Sequence, residues 1–319
     1  MLRSLGLSST LVASAPKIRK GKGIWSTFTG LRHKSDKMCE QPKPDCGPCA
    51  KFKYMDLHCK LAVITGGATG IGLATAQELL CGQVYRVILA DCNCEDGRKA
   101  AENLNKEHGK HKACFIQMDV RKHQDFEETL EEITRKFGGI DILVNNAGFL
   151  DDNYWKDEVD INVKAVIRGS LLGMKYLSQK RTPGNSVIVN VASTLGIDAD
   201  PPYLPIFSAT QHAIAGLTKS LGDNMHFKAS GVRVIGICPG PTATNLMVCQ
   251  EDKALVPDWS TAANMQFVEN FQKPETVARA IVYMIMYATP GSLYVVEKAG
   301  LYKTDIPSVK KIRERVIYV

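Results

Sequence analysis

Leu61-Ala62-Val63-Ile64-Thr65-Gly66-Gly67-Ala68-Thr69-Gly70-Ile71-Gly72 is the stretch that decides the fold. Residues 61–64 form a short, continuous apolar run, the pattern of a strand buried on both faces. Gly66, Gly70 and Gly72 follow as Gly-x-x-x-Gly-x-Gly, and a helical segment around residues 73–80 comes next. A strand, a glycine turn and a helix in that order let backbone approach a pyrophosphate, whose charge sits at the positive helix end. A second strand, 86–90, ends at Asp91, which strengthens the reading. A carboxylate there bonds both ribose hydroxyls of NAD and repels the extra phosphate of NADP, and Cys92 offers that phosphate no positive charge. The predicted cofactor is NAD.

Outward from this stretch the pattern alternates. Residues 113–118, 140–144, 187–191, 232–237 and 293–296 read as further strands. Phe126, Leu130, Ile133 and Phe137 recur at helical spacing and mark one buried face. Long helices are expected over 157–180 and 207–228, and a last one over 274–287 with Pro274 in its first turn. Apolar strands alternating with helices mean a parallel sheet covered on both sides. The expected fold is α/β, a single Rossmann-type doubly wound domain whose seven-stranded sheet is mostly parallel, with helices on both faces. Its expected span is 59–300, between an extension (1–58) and a C-terminal tail (301–319).

The chain has 319 residues, 45% hydrophobic and 23% charged, an ordinary globular composition. Its net charge of +7 lies entirely in residues 1–58, which hold 11 Lys/Arg against 4 Asp/Glu. The body is therefore balanced, and no nucleic-acid partner is expected. The longest apolar run, 280–288, is far shorter than the roughly 18–20 residues of a membrane span, so none is expected. Cys59, Cys81, Cys114 and Cys238 sit beside or inside apolar segments and read as small core residues.

Residues 1–35 carry seven Lys/Arg and many Ser/Thr but no acid, the composition of a mitochondrial transit peptide. Mitochondrial localisation is expected, with an uncleaved basic tail on a cytoplasmic protein as the alternative. Cys46-Gly-Pro-Cys49 resembles a redox dithiol, and with Cys39 it offers three thiolates to a metal. Pro42, Pro44 and Pro48 make an extended linker the stronger reading, so no metal site is assigned.

Thr65 to Gly72, Asn145-Asn146-Ala147-Gly148, Asn162 in Ile-Asn-Val, Ser193 after the fifth strand and Pro239-Gly240 after the sixth together resemble the short-chain dehydrogenase/reductase family. The likeness covers roughly 58–300 and is nearest the branch of NAD-dependent 15-hydroxyprostaglandin dehydrogenases and short-chain alcohol dehydrogenases. It implies cofactor contacts from Gly66, Thr69, Gly70, Ile71, Gly72 and Asp91. Asp119 and Val120 would border the adenine, and Asn145, Ala147 and Gly148 the adenosine ribose region. Pro239, Gly240, Thr242 and Thr244 would lie at the nicotinamide and phosphates. It also implies a homodimer built from the helices at 157–180 and 207–228.

Members of this family exchange hydride with a secondary alcohol or carbonyl, using a Tyr-x-x-x-Lys pair aided by a Ser and an Asn. The phenol moves the proton, and the Lys one turn on lowers its pKa and holds the ribose. Here Asn162 and Ser193 are present, but Phe207 stands at the Tyr position and Gln211 at the Lys position. Gln211 retains an amide for ribose hydroxyls. Tyr203 has Phe207 as its own i+4 partner, His212 is turned about 100° away, and Asp198 lies in a loop. Two readings follow. The chain is an NAD(H)-binding pseudoenzyme; or it is an active oxidoreductase on a secondary alcohol or hydroxy lipid, its proton routed through Ser193, Tyr203 or water. Residues 246–272 are apolar enough, through Met247, Leu255, Val256, Trp259, Met265 and Phe267, to cover a small apolar alcohol or carbonyl ligand, or to pack as an ordinary lid helix.

Overall fold

The computed structural model of the chain describes residues 54–177, 183–199, 202–247, 253–255 and 271–306. The expected presequence, Cys39, Cys46, Cys49, Val256, Trp259, Met265 and Phe267 lie outside them. Eight strands form one sheet: β1 (Leu61–Thr65), β2 (Arg86–Asp91), β3 (Ala113–Gln117), β4 (Ile142–Asn145), β5 (Ser186–Val191), β6 (Val232–Pro239), β7 (Leu293–Glu297) and β8 (Gly300–Thr304). Their order is β3-β2-β1-β4-β5-β6-β7-β8. The first seven are parallel, and β8 returns antiparallel to β7. The order reverses between β1 and β4, the topological switch point where ligands bind in such sheets.

Alternation along the strands builds two cores. Ala62, Ile64, Val87, Leu89, Ile142 and Val144 point to one face, covered by α1 (Gly70–Cys81) and α2 (Cys94–His108). Leu61, Val63, Ile88 and Leu143 point to the other, under Phe126, Leu130 and Ile133 of α3 (His123–Phe137). This double cover is why all five residues of β1 are buried.

Several features differ from the expectation. The helix expected from 157 starts earlier, as α4 (Trp155–Val159), passes through a π-helical turn at Asp160–Ala165, and continues as α5 (Val166–Leu177). The helix expected over 207–228 is two: α6 (Pro205–Leu221) stops at Gly222, and α7 (Asn224–Ser230) restarts under its own cap, Asp223, whose Oδ1 accepts from the Met225 amide at 2.8 Å. A closing helix, α8 (Pro274–Tyr287), packs on the first core.

The sheet also has eight strands rather than seven, because residues assigned to the tail pair with β7. Lys298 and Ala299 make the two-residue turn, both with positive φ (48° and 61°). That is the backbone of a type I′ hairpin turn, which Asn-Gly adopts without strain. Replacing Lys298-Ala299 by Asn-Gly should add about 1–2 kcal/mol of stability, read as a higher urea midpoint at an unchanged m-value.

At the other end the body begins before residue 59. Met55 and Leu57 are buried in the first core, and the Tyr54 amide donates to the Met286 carbonyl at 2.8 Å. Tyr54 also roofs a buried cation: its ring lies 4.9 Å from the guanidinium carbon of Arg233 on β6. Arg233 donates Nε to the Gly184 carbonyl at 2.9 Å, Nη1 to Ala288 at 2.9 Å and Nη2 to Ile285 at 2.5 Å. The last two carbonyls belong to the C-terminal end of α8, where the helix dipole favours a cation. Burial still pulls the Arg233 pKa down to about 10. Of the expected core cysteines, Cys238 is buried and Cys114 half-buried, whereas Cys59 and Cys81 are exposed. Cys59 occupies a positive-φ turn and Cys81 ends α1.

Candidate active site

A cleft of about 900 Å³ opens along the carboxyl ends of the parallel strands, at the switch point. One end is built by the β1–α1 turn. Gly66 has φ +62°, and a Cβ there would sit 2.8 Å from the Cα of Ala147. A Cβ on Gly72 would sit 2.2 Å from the Gly66 carbonyl oxygen. The glycines thus close the turn against β4 and leave a cradle of bare backbone. Thr69 gives no side-chain cap, so the first amides of α1 face the cleft without a side-chain acceptor. A pyrophosphate fits that cradle, its charge at the positive helix end.

Asp91 stands at the tip of β2. Its Oδ2 accepts from the Ala68 amide at 3.1 Å and its Oδ1 from Asn93 at 3.0 Å, which fixes the carboxylate at the cleft wall. Asp119 lines the next position. Burial would raise its pKa, but hydrogen bonds and charge from Arg121 outweigh this and hold the carboxyl below its ordinary value. Val120 follows, its carbonyl taken by Arg168 at 2.5 Å. Beyond β6, Pro239, Gly240, Thr242 and Thr244 complete this wall. Thr242 turns inward and donates to the Gly240 carbonyl at 2.8 Å, while the Thr244 methyl lies against Gly70.

The other end carries Asn162 and Ser193, the two catalytic candidates. Asn162 sits in the π-helical turn, a distortion frequent at functional positions. Its amide clamps one residue of the facing loop: Oδ1 accepts from the Phe149 amide and Nδ2 donates to the Phe149 carbonyl, both at 2.8 Å. Nδ2 also reaches Thr210 Oγ1 at 3.2 Å. Ser193 caps a short 3₁₀ turn, Thr194–Gly196, where its Oγ accepts from the Leu195 amide at 3.2 Å. That turn rests on α6, since Ser208 Oγ donates to the Leu195 carbonyl at 3.0 Å.

Phe207 and Gln211 are buried on the next turns of α6, and both line the cleft. Phe207 packs with Leu150, Leu195, Tyr203, Leu204 and Ala254, making this end apolar. Gln211 Nε2 donates to Thr210 Oγ1 at 3.3 Å. Tyr203 shares the pocket, and burial raises its phenol pKa. His212 is exposed and bonded to the Ser208 carbonyl at 2.9 Å, turned away as its register requires. Asp198 is exposed at the mouth.

The cleft therefore gathers the expected cofactor and catalytic residues except two, and Leu255, expected to help cover a ligand, is exposed outside it. Gly72 stands behind the Gly66 carbonyl. Asn145 points into the sheet, donating to Asn190 Oδ1 at 2.9 Å, while Asn190 donates to Thr218 Oγ1 at 2.9 Å. The residue that faces the cleft is its neighbour Asn146, whose Nδ2 donates to the carbonyls of Thr65 and Gly66, both at 3.0 Å. Strand parity gave that signal, because adjacent side chains leave a strand on opposite sides. Arg121, Leu150 and Leu204 also line the cleft and were not anticipated.

Fold and cradle define a dinucleotide-binding oxidoreductase scaffold. The chain belongs to the short chain dehydrogenase family, whose model matches residues 60–254. Among its relatives, 15-hydroxyprostaglandin dehydrogenase [NAD(+)] of Homo sapiens is 35% identical over 193 residues, covering 60% of this chain and 72% of that protein. Alcohol dehydrogenase 1 of Ceratitis cosyra is 28% identical over 257 residues, covering 80% of this chain and 98% of that one. Among solved structures, levodione reductase superposes with a TM-score of 0.67 at 21% identity, over 76% of this chain and 97% of that one.

Proposed function

We propose that this chain binds NAD(H) in the cleft and has lost most or all of the alcohol oxidation its scaffold otherwise supports. One observation carries the reading: a phenyl ring and a neutral amide, Phe207 and Gln211, line the cleft at the two positions where the resemblance expects a phenol and an ammonium. The NAD preference rests on Asp91, fixed at the tip of β2, and agrees with the cofactor named for the 15-hydroxyprostaglandin dehydrogenase relative. Bound nicotinamide supplies hydride transfer. The protein must supply the accompanying proton transfer, and here it lacks the groups for it. A positioned acid–base contributes roughly 10²–10⁴ in rate, or about 3–5 kcal/mol of barrier. Phe207 further leaves a substrate oxygen desolvated and unpaired, which costs about 1–3 kcal/mol more. Gln211 is the milder loss, since an amide still bonds ribose hydroxyls. The apolar end around Leu150, Leu195 and Phe207 suits a small apolar alcohol or carbonyl as ligand.

The test pairs NADH fluorescence enhancement with turnover of secondary alcohols and hydroxy fatty acids. Binding without turnover is expected. Robust turnover by the wild type would favour the alternative, an active dehydrogenase whose proton is routed through Ser193, Tyr203 or water.

We also propose a homodimer through α5. Leu171 is 55% and Ile167 37% exposed on that helix, with Tyr154 and Trp155 exposed ahead of it. Light scattering should report a dimer for the wild type and a monomer for Leu171→Glu; a wild-type monomer at micromolar concentration would refute the interface.

A further inference from the structure

Asp152 and Glu158 are both fully buried, and neither lines the cleft. Asp152 accepts two backbone hydrogen bonds, from Ile206 at 2.9 Å and from Phe207 at 3.0 Å. α6 depends on them. Its first residue, Pro205, has no N–H, and its flanking residue, Leu204, has no side-chain acceptor. The orphan amides of its first turn are therefore answered by a carboxylate from a distant segment. The positive end of the helix favours the ionised form of that carboxylate.

Glu158, on α4, faces the Asp152 carboxyl and the Asp151 backbone, and neither of its oxygens meets a donor at full hydrogen-bond geometry. Among the described residues no compensating cation faces the pair. Asp151 adds negative charge. On α4, Lys156 lies over the Trp155 ring and Asp157 is taken by Arg121. In the π-helical turn, Asp160 and Lys164 pair with each other at 2.6 Å. On α6, His212 is exposed and bonded to Ser208, and ahead of it Tyr203 is a buried phenol. Among the described residues no salt bridge reaches Asp152 or Glu158. Two adjacent carboxyls shut away from water and cations cannot both ionise without a large cost.

We infer that Asp152 and Glu158 hold one proton between them, resident on Glu158, and that this proton governs how firmly the first turn of α6, with Phe207, is held against the cleft. Both are positioning residues, acting through the α6 backbone, and the inference stands whether or not the cleft takes NAD. The linkage has a definite sign. Burial first, and the Asp152 charge second, push the Glu158 pKa up to about 8. The unfolded chain releases that proton at the ordinary glutamate value, so the stabilisation is complete in acid and drains away as pH rises towards 8.

The experiment compares urea unfolding of the full chain with that of Glu158→Gln, from pH 5 to 9, together with hydrogen exchange at the Ile206 and Phe207 amides. Gln imitates the protonated side chain and cannot titrate. The ratio of the two unfolding constants should rise by up to roughly tenfold per pH unit between 5 and 8 and then level off. Over the same range the wild type, and not the variant, should lose protection at the two amides beyond the intrinsic change. Asp152→Asn should weaken protection at both amides throughout. Should Glu158→Gln not fold, Glu158→Leu serves in its place and should show the same flattening. A ratio independent of pH would overturn the proposal, and so would amide protection that ignores both substitutions.

Discussion

Restoring phenol and ammonium together, Phe207→Tyr with Gln211→Lys, should raise hydride exchange between NAD and a secondary alcohol by roughly 10²–10⁴ over the wild type. The rest of the site is in place to receive them. Ser193 sits on the turn packed against α6, and its hydroxyl, which accepts from Leu195, still has a proton to donate. Asn162 is clamped to Phe149 and Thr210. A Tyr at 207 would replace a ring that already lines the cleft, and a Lys at 211 would follow it by one helical turn. The gain should be cooperative. A phenol without the ammonium keeps a pKa too high for a base near neutrality, as burial already does to Tyr203. Phe207→Tyr alone should therefore recover only a small part of the rate, and Gln211→Lys alone nothing measurable. NADH absorbance at saturating alcohol checks all three. A double variant that binds NADH and turns over no faster than the wild type would count against the view that these two side chains limit the reaction.

The largest loss of stability is expected from Arg233→Ala, at least about 3 kcal/mol by urea unfolding. The substitution removes a favourable and an unfavourable contribution together, and their sizes decide the sign. Burial of the guanidinium is costly, as its depressed pKa shows. Truncation, however, strips three buried carbonyls of their donors, those of Gly184, Ile285 and Ala288. Each unsatisfied carbonyl costs about 1–3 kcal/mol, and the vacated volume adds a cavity beneath Tyr54. Arg233→Lys should recover little, because a single ammonium cannot span three carbonyls that the planar fork reaches at once.

Much of this architecture was legible in the sequence. The uninterrupted apolar run of β1 follows from a sheet covered on both faces, and the glycine turn and Asp91 followed it at readable spacing. The elements that escaped did so for physical reasons. Lys298 and Ala299 are not residues that favour positive φ, so the turn into β8 carries no local signal and the strand looked like tail. The break between α6 and α7 was written in Gly222-Asp223, a helix stop beside a helix cap, but the apolar spacing runs on across it. Asn145 and Asn146 are the same residue type one step apart, and only strand parity decides which of them sees the cleft. The carboxyl pair was invisible because its meaning depends on amides 54 and 55 positions away from Asp152.

The roof over Arg233 also limits how far the body can be shortened from its N-terminal side. A protease cutting as far as the first strand would carry off Tyr54, Met55 and Leu57, wetting a guanidinium seated in an oily socket and unplugging the sheet's first core. A shortened chain with a sound body therefore has to keep that aromatic ring.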